Sequence, residues 1–331
     1  MKSLMIRHPF IKTITRTMIA LILLFILIKK GPFQFEQITF ILSQPKILLL
    51  GFILFSLQFF LTALRWKIIV DLLSQIKIIP AIAFNLIGHF FSFFIPGGVG
   101  GDVVKALELS SHNSLSKRDS LSTIFADRIL GLYSMVIASS VFLMIDYFQE
   151  DVPRASSYLS FSLMLLFIMT VGLVFGPPVV HSISKNFSPK NNRWLAGLEK
   201  LIASFNLTFS CFRKPKLSIL LFSLSLMAQF LSIYFMLEVV QALHVTPPPF
   251  FIFFSFTCFS FLASAIPITP AGIGVGQAAI YFLFSTISLE LGHATVTAIS
   301  VLQIFYLFFA VLGGIIFATK PLLKNKMKVQ I

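Results

Sequence analysis

Charge is what this sequence has least of. Only 11% of its 331 residues are charged, where a soluble domain carries about a quarter to solvate its surface. A water-soluble enzyme is therefore excluded. So is a disordered chain, whose composition runs toward charge and away from aromatics. Cysteine is almost absent, and Cys211 and Cys258 are too few for a disulfide framework. Acid is scarcer than base, 12 against 26, for a net charge of +14. What fills the chain instead is hydrophobic: 57% of residues, 40 of them phenylalanine, with a mean hydropathy of +0.92. So many large apolar side chains cannot all hide in one soluble core, and the solvent for most of this surface is lipid.

The basic excess does not point to nucleic acid. Lysines and arginines sit in short clusters between long apolar runs, the pattern of juxtamembrane anchoring. Six runs are long enough to cross a bilayer, which takes about 20 helical residues. They are Thr13–Ile28, Ile47–Trp66, Leu121–Ile145, Tyr158–Val180, Leu217–Val240 and Ala294–Thr319. The first follows Lys2, Arg7 and Lys12 and ends at Lys29-Lys30-Gly31-Pro32 with no small-residue cleavage site, which predicts an uncleaved signal-anchor.

Two further apolar stretches, Ile79–Ile95 and Phe250–Ile266, stop at proline-glycine clusters. The first break runs from Pro96 through Gly97, Gly98, Gly100 and Gly101; the second runs from Pro267 through Pro270, Gly272, Gly274 and Gly276. If each stretch turns back to the side it entered from, and the N-terminus is cytoplasmic, nearly all basic residues fall inside. Lys29, Lys30, Lys46 and Arg154 are then the outside exceptions, and Arg128 lies within a span. That is a strong positive-inside bias, and a full crossing at the first break would destroy it. The expected fold is an all-α polytopic membrane protein, one integral domain over 1–331, with six spanning helices and two re-entrant broken-helix hairpins. Its halves, about 13–145 and about 158–319, have inverted topology. Asp102 and Gln277 each follow the last glycine of a break, and Arg128 and Gln303 stand equally far beyond those glycines. Paired breaks in inverted halves are the usual pointer to a transport site near the midplane. Between about 185 and 216, Trp194, Leu198, Leu201, Ile202, Phe205 and Leu207 recur near helical spacing beside Arg213, Lys214 and Lys216, which predicts an amphipathic cytoplasmic connector.

A broken helix exposes backbone N–H groups at the start of its second half, and in lipid an anion is their natural partner. Gly97, Gly98, Gly100 and Gly101 let the backbone approach such a ligand; Asp102 is set to cap the returning helix, and Lys105 follows on the same face. Asp127-Arg128 inside a span is the sharpest polar feature. A charge at membrane depth costs about 3 kcal/mol, so it needs a partner or a wet cavity. Helical neighbours point about 100° apart, so at least one of the two must pair with another element; Asp102 or a phosphate is the candidate for Arg128. The second half offers amides, Gln277 and Gln303, beside Gly272 and Gly274. No phosphate-binding loop, metalloprotease helix or nucleophile elbow is present. No catalytic residue, metal or cofactor is expected.

From Gly88 to Ala106, the Pro-Gly-x-x-Gly-Gly-Asp run ending near Lys105 resembles the flippase-like transmembrane domain of lysylphosphatidylglycerol synthases, also found as stand-alone membrane proteins. Asp127-Arg128-Ile129-Leu130-Gly131 matches that family's Asp-Arg-x-x-Gly, and Pro267, Pro270, Gly272 and Gly274 match its second-half run. Members usually carry a glutamate soon after that run, where this chain has Gln277. The resemblance implies translocation or handling of an anionic phospholipid or a polyprenyl-phosphate-linked lipid in a bacterial inner membrane. It gives no support for aminoacyl transfer, since the synthases' soluble transferase domain has no counterpart here. Two other functions stay open: a lipid-linked membrane transferase, and a non-transporting subunit whose connector docks a partner enzyme or a second copy. Both termini are expected in the cytoplasm.

Overall fold

The computed structural model describes residues 34–94, 100–112, 115–149, 155–186, 206–207, 210–211, 213–266 and 269–328. The expected first span, Gly97, Gly98, Pro267 and most of the amphipathic connector lie outside these residues. Among the described residues the chain is all helical. It forms α1 (Phe35–Leu42), α2 (Pro45–Val70), α3 (Ile78–Phe94), α4 (Gly100–His112), α5 (Lys117–Gln149), α6 (Ala155–Asn186), α7 (Pro215–Ala242), α8 (Phe250–Ser264), α9 (Val275–Ser285) and α10 (Leu289–Lys328). Five stretches are long and apolar enough to cross a membrane: Pro45–Val70, Lys117–Phe148, Ser156–Gly176, Pro215–Ala242 and Leu289–Thr319. They correspond to the expected spans beyond the first. α2 and α7 open on a proline at their first position, where its missing N–H costs nothing.

The short helices come in folded-back pairs. α3, with 17 residues, rises about 25 Å, less than the roughly 30 Å of a hydrocarbon core. α4 then returns along it: the Lys105 ammonium reaches Asn85, and a Cβ on Gly101 would collide with the Gly88 carbonyl and the Ser92 hydroxyl. Glycine at 101 is what allows the two backbones to touch. α8 and α9 repeat the arrangement, with Ser260 Oγ donating to the Gly276 carbonyl. The second turn is built from left-handed residues, Ala271 at φ 50°, Gly272 at 72° and Gly274 at 89°. A Cβ on Gly272 would also meet the Ser264 carbonyl at 2.7 Å.

The short apolar helices pack across the chain. α3, early in the chain, lies against α10 at its end, while α8, late in the chain, lies against α5. At the first contact Gly313 lets the α10 backbone meet that of Leu86. At the second, Phe142 packs edge-on to Phe254 at 4.7 Å. α2 and α7 close the centre, where Phe55 and Phe59 interlock with Phe235, Phe305 and Phe309. This is where the phenylalanine excess is used: aromatic stacking supplies the packing that a hydrophobic drive cannot supply in lipid. The C-terminal end of the connector does not skim a surface. Leu207 and Cys211 are buried against Ile69, Ala126, Leu130 and Leu221.

Candidate functional site

Six of the residues singled out by sequence and described in the structure, Gly100, Gly101, Asp102, Lys105, Asp127 and Arg128, stand around the first break, and the last four line one cavity. It is about 190 Å³ and bounded by Thr62 and Arg65 of α2, Asn85, Gly88, His89 and Ser92 of α3, Asp102 and Lys105 of α4, and Ile124, Asp127 and Arg128 of α5. Gly100 opens α4, so Asp102 lies within its first turn and is not its cap. Instead its carboxylate accepts from Arg128 Nε. Asp127 turns the other way and accepts from Arg65 Nε at 2.8 Å, while Arg65 Nη1 donates to Ser225 on α7. The expectation that adjacent helical charges must find partners elsewhere therefore holds for both.

Arg65 is the residue sequence reading misplaced. It stands at the end of an apolar run and reads as a cytoplasmic boundary charge, yet it is only 8% exposed. One signal points to it. A Cβ on Gly131, four residues after Asp127, would lie 3.1 Å from Arg65 Nη1, so the glycine of Asp-Arg-x-x-Gly makes room for this guanidinium.

Lys105 is the unusual member. It is 6% exposed, so it does not snorkel to an interface. Its ammonium donates to Asn85 Oδ1 at 3.0 Å and sits 3.9 Å above the Trp66 ring. Asn85 in turn donates to Thr62, and Trp66 donates to Thr123. Among the described residues, no carboxylate stands within ion-pair distance of it. An ammonium has three donors, and one hydrogen bond with one ring face leaves it short of counter-charge. The cavity thus holds three cations and two carboxylates, one positive charge in excess.

A second cavity, about 200 Å³, adjoins the first and shares His89, Ser92 and Arg128 with it. Its other walls are Phe93, Ser264–Ile266, Thr269, Ala271, Gly272 and Tyr306. Gly272, expected at a site, lines it. The remaining second-half candidates do not line either cavity. Gln277 Oε1 accepts from Gly274 N–H at 2.7 Å, and Gln277 Nε2 donates to Gln303 Oε1. Gln277, Gln303 and Gly274 thus form a neutral clasp, with Gln277 buried and Gln303 half-buried. Tyr306, one turn on, bonds Gln58 and approaches Ser232. Among the described residues no group of three or more His, Cys, Asp or Glu is arranged to hold a metal ion.

Comparison with known proteins follows the motifs. A profile of the lysylphosphatidylglycerol synthase TM region matches residues 13–319. The chain is also similar to the UPF0104 membrane protein MJ1078 of Methanocaldococcus jannaschii, 24% identical over 231 residues, which are 69% of this chain and 93% of the relative. No solved structure matches.

Proposed function

The chain belongs to the lysylphosphatidylglycerol synthase TM-region family, and from that premise we propose that it binds an anionic lipid head group at Lys105 and carries it between leaflets. The observation that carries this reading is the buried Lys105 ammonium, with no carboxylate at ion-pair distance among the described residues, in a cavity whose described lining has one positive charge in excess. A buried cation is costly unless paired, and a lipid phosphate is the anion at hand in a membrane. The reciprocal packing of α3 on α10 and α8 on α5 supports two halves of inverted topology, with α3–α4 and α8–α9 as re-entrant hairpins. Rocking of one half against the other would expose the site to each leaflet in turn. On this reading the protein is a transporter of a plasma membrane, not an enzyme, with both termini in the cytoplasm.

Reconstitution into phosphatidylcholine vesicles with fluorescent phosphatidylglycerol tests the function. Translocation is expected, and Lys105→Met should abolish it. No movement of any anionic lipid by well-inserted protein would overturn the proposal in favour of a subunit role. Orientation is tested separately, since both native cysteines are buried. A cysteine at the exposed Glu290 should label from outside intact cells and one at the exposed Ser111 should not. The reverse pattern would overturn the hairpin topology.

A further inference from the structure

Three side chains line both cavities, and two of them are committed. Ser92 donates to the Gly88 carbonyl, and Arg128 pairs with Asp102. The third is His89. Its place follows from helical spacing: Asn85, Gly88, His89 and Ser92 stand at i, i+3, i+4 and i+7, one stripe of α3 that fronts the first cavity. The imidazole thus lies one turn along from Asn85, whose amide oxygen accepts from the Lys105 ammonium. Its ring packs edge-on to Phe59 at 4.8 Å and stands 5.8 Å from the Tyr306 ring. Among the described residues neither ring nitrogen has a hydrogen-bond partner, yet neither is a fully buried atom. Both keep access to cavity space. Packing alone does not call for an imidazole here, because phenylalanine fills the adjacent core at Phe55, Phe305 and Phe309. The charged groups that face His89 come from three helices: Arg65 of α2, Asp102 and Lys105 of α4, and Asp127 and Arg128 of α5. From α10 comes the Tyr306 hydroxyl, which accepts from Gln58; the described residues of the second turn add no titratable group.

We infer that His89 is a proton site, so that an anion bound at Lys105 is accompanied by a proton taken from water onto the imidazole. The inference rests on the proposed anion site at Lys105. Imidazole is the side chain whose unperturbed charge changes between about pH 5 and 8. The groups that face it sum to one positive charge. A singly charged anion cancels that excess and so lowers the electrostatic cost of adding a proton beside it. Binding of the anion and binding of the proton then favour each other by the same factor. The proton adds to the lone pair of a ring nitrogen and leaves when the anion leaves. One negative and one positive charge enter together, so loading the site changes its net charge by nothing. The bound state holds more protons than the free state, and affinity for the anion therefore rises as pH falls.

The test is calorimetric titration of the purified full chain in detergent with dioctanoyl phosphatidylglycerol, whose phosphodiester stays ionised throughout the range. Titrations at one pH in buffers of different ionisation enthalpy count the protons taken up per lipid bound. About half a proton or more is expected near pH 6, and affinity should fall at least about threefold from there to about pH 8. His89→Gln should bring the proton count to about zero and flatten the pH dependence, whatever its affinity, and a native melting midpoint would show that it folds. Glutamine placed singly at His8, His112, His181, His244 or His293 should leave the uptake in place, which keeps the assignment testable even where His89→Gln binds nothing. Lipid bound by the native chain with no proton taken up overturns the proton site and leaves the anion site standing. Uptake that persists in His89→Gln, or that disappears from one of the other five variants, places the proton on another group and overturns the inference as well. Failure of the native chain to bind at any pH overturns the anion site itself and the proton site with it.

Discussion

The two breaks solve the same structural problem with opposite electrostatics. At the first, the residue after the last glycine is Asp102, and it pairs with Arg128 on the next long helix. At the second, Gln277 occupies the corresponding place and bonds to Gln303, the counterpart of Arg128. Both links tie a returning helix to the following span. The neutral clasp lines neither cavity and buries Gln277, whereas Arg128 keeps 41% of its side chain exposed and fronts two cavities. The second charge of the first half has no echo: Leu302, 2% exposed, stands where Asp127 would be. One break is thus held by a neutral joint, and the other carries charges that a joint does not need. On the proposed function, charges retained in lipid against their cost make the first break the working one.

The largest effect expected from erasing this difference is at Asp127. Arg65→Leu leaves that carboxylate without its partner and should destabilise the protein by about 3–5 kcal/mol, read as a thermal midpoint in detergent. Joining it to Asp127→Leu makes the first half resemble the second and should recover most of the loss. A double variant as unstable as the single would mean that the pair does more than neutralise itself. The Asp102–Arg128 pair tests charge balance instead. Arg128→Gln removes the excess positive charge and should weaken anionic-lipid binding about tenfold, or roughly 1.4 kcal/mol. Asp102→Asn should tighten binding, and the combination Asp102→Gln with Arg128→Gln should bind near the native level. If that combination binds as poorly as Arg128→Gln, Arg128 itself grips the ligand and Lys105 is secondary.

How far the sequence reaches is seen in the same residues. Hydropathy and the two proline-glycine breaks delimit the long helices and the folded-back pairs, because lipid forces every backbone group into a helix or a sheltered turn. Asp102, Lys105, Asp127 and Arg128 are legible as a site because charge inside an apolar run is rare. Arg65 is not, because a charge at the end of a run reads the same whether it meets water or a carboxylate on a distant helix. Asn85 and His89 are illegible for another reason. Polar residues without a fixed charge are common in spans, and only their three-dimensional neighbours distinguish a committed side chain from an unpartnered one.

A smaller effect is expected at Gly131, which makes room for the paired guanidinium. Gly131→Ala puts a methyl 3.1 Å from Arg65 Nη1. The long Arg65 side chain can yield a few tenths of an ångström, so the cost should be about 1 kcal/mol, the low end for overpacking. A midpoint as low as that of Arg65→Leu would mean the guanidinium has no room to move.

The smallest effect is expected where the neutral clasp is given back a charge. Gln277→Glu keeps an oxygen for the Gly274 N–H. Its other oxygen can accept from Gln303 if that amide turns over, which exchanges atoms of nearly equal shape. The new carboxylate also lies in the first turn of α9, where the helix dipole favours a negative charge. Against these stands desolvation, since Gln277 is 1% exposed. The opposing effects should leave stability within about 1 kcal/mol of native, consistent with a fold family that usually carries an acid near this place. Binding of anionic lipid should not change, because Gln277 lines neither cavity. A Gln277→Glu variant that stays folded but loses anionic-lipid binding would show that the two breaks share one electrostatic site, and the division between joint and working half would fall.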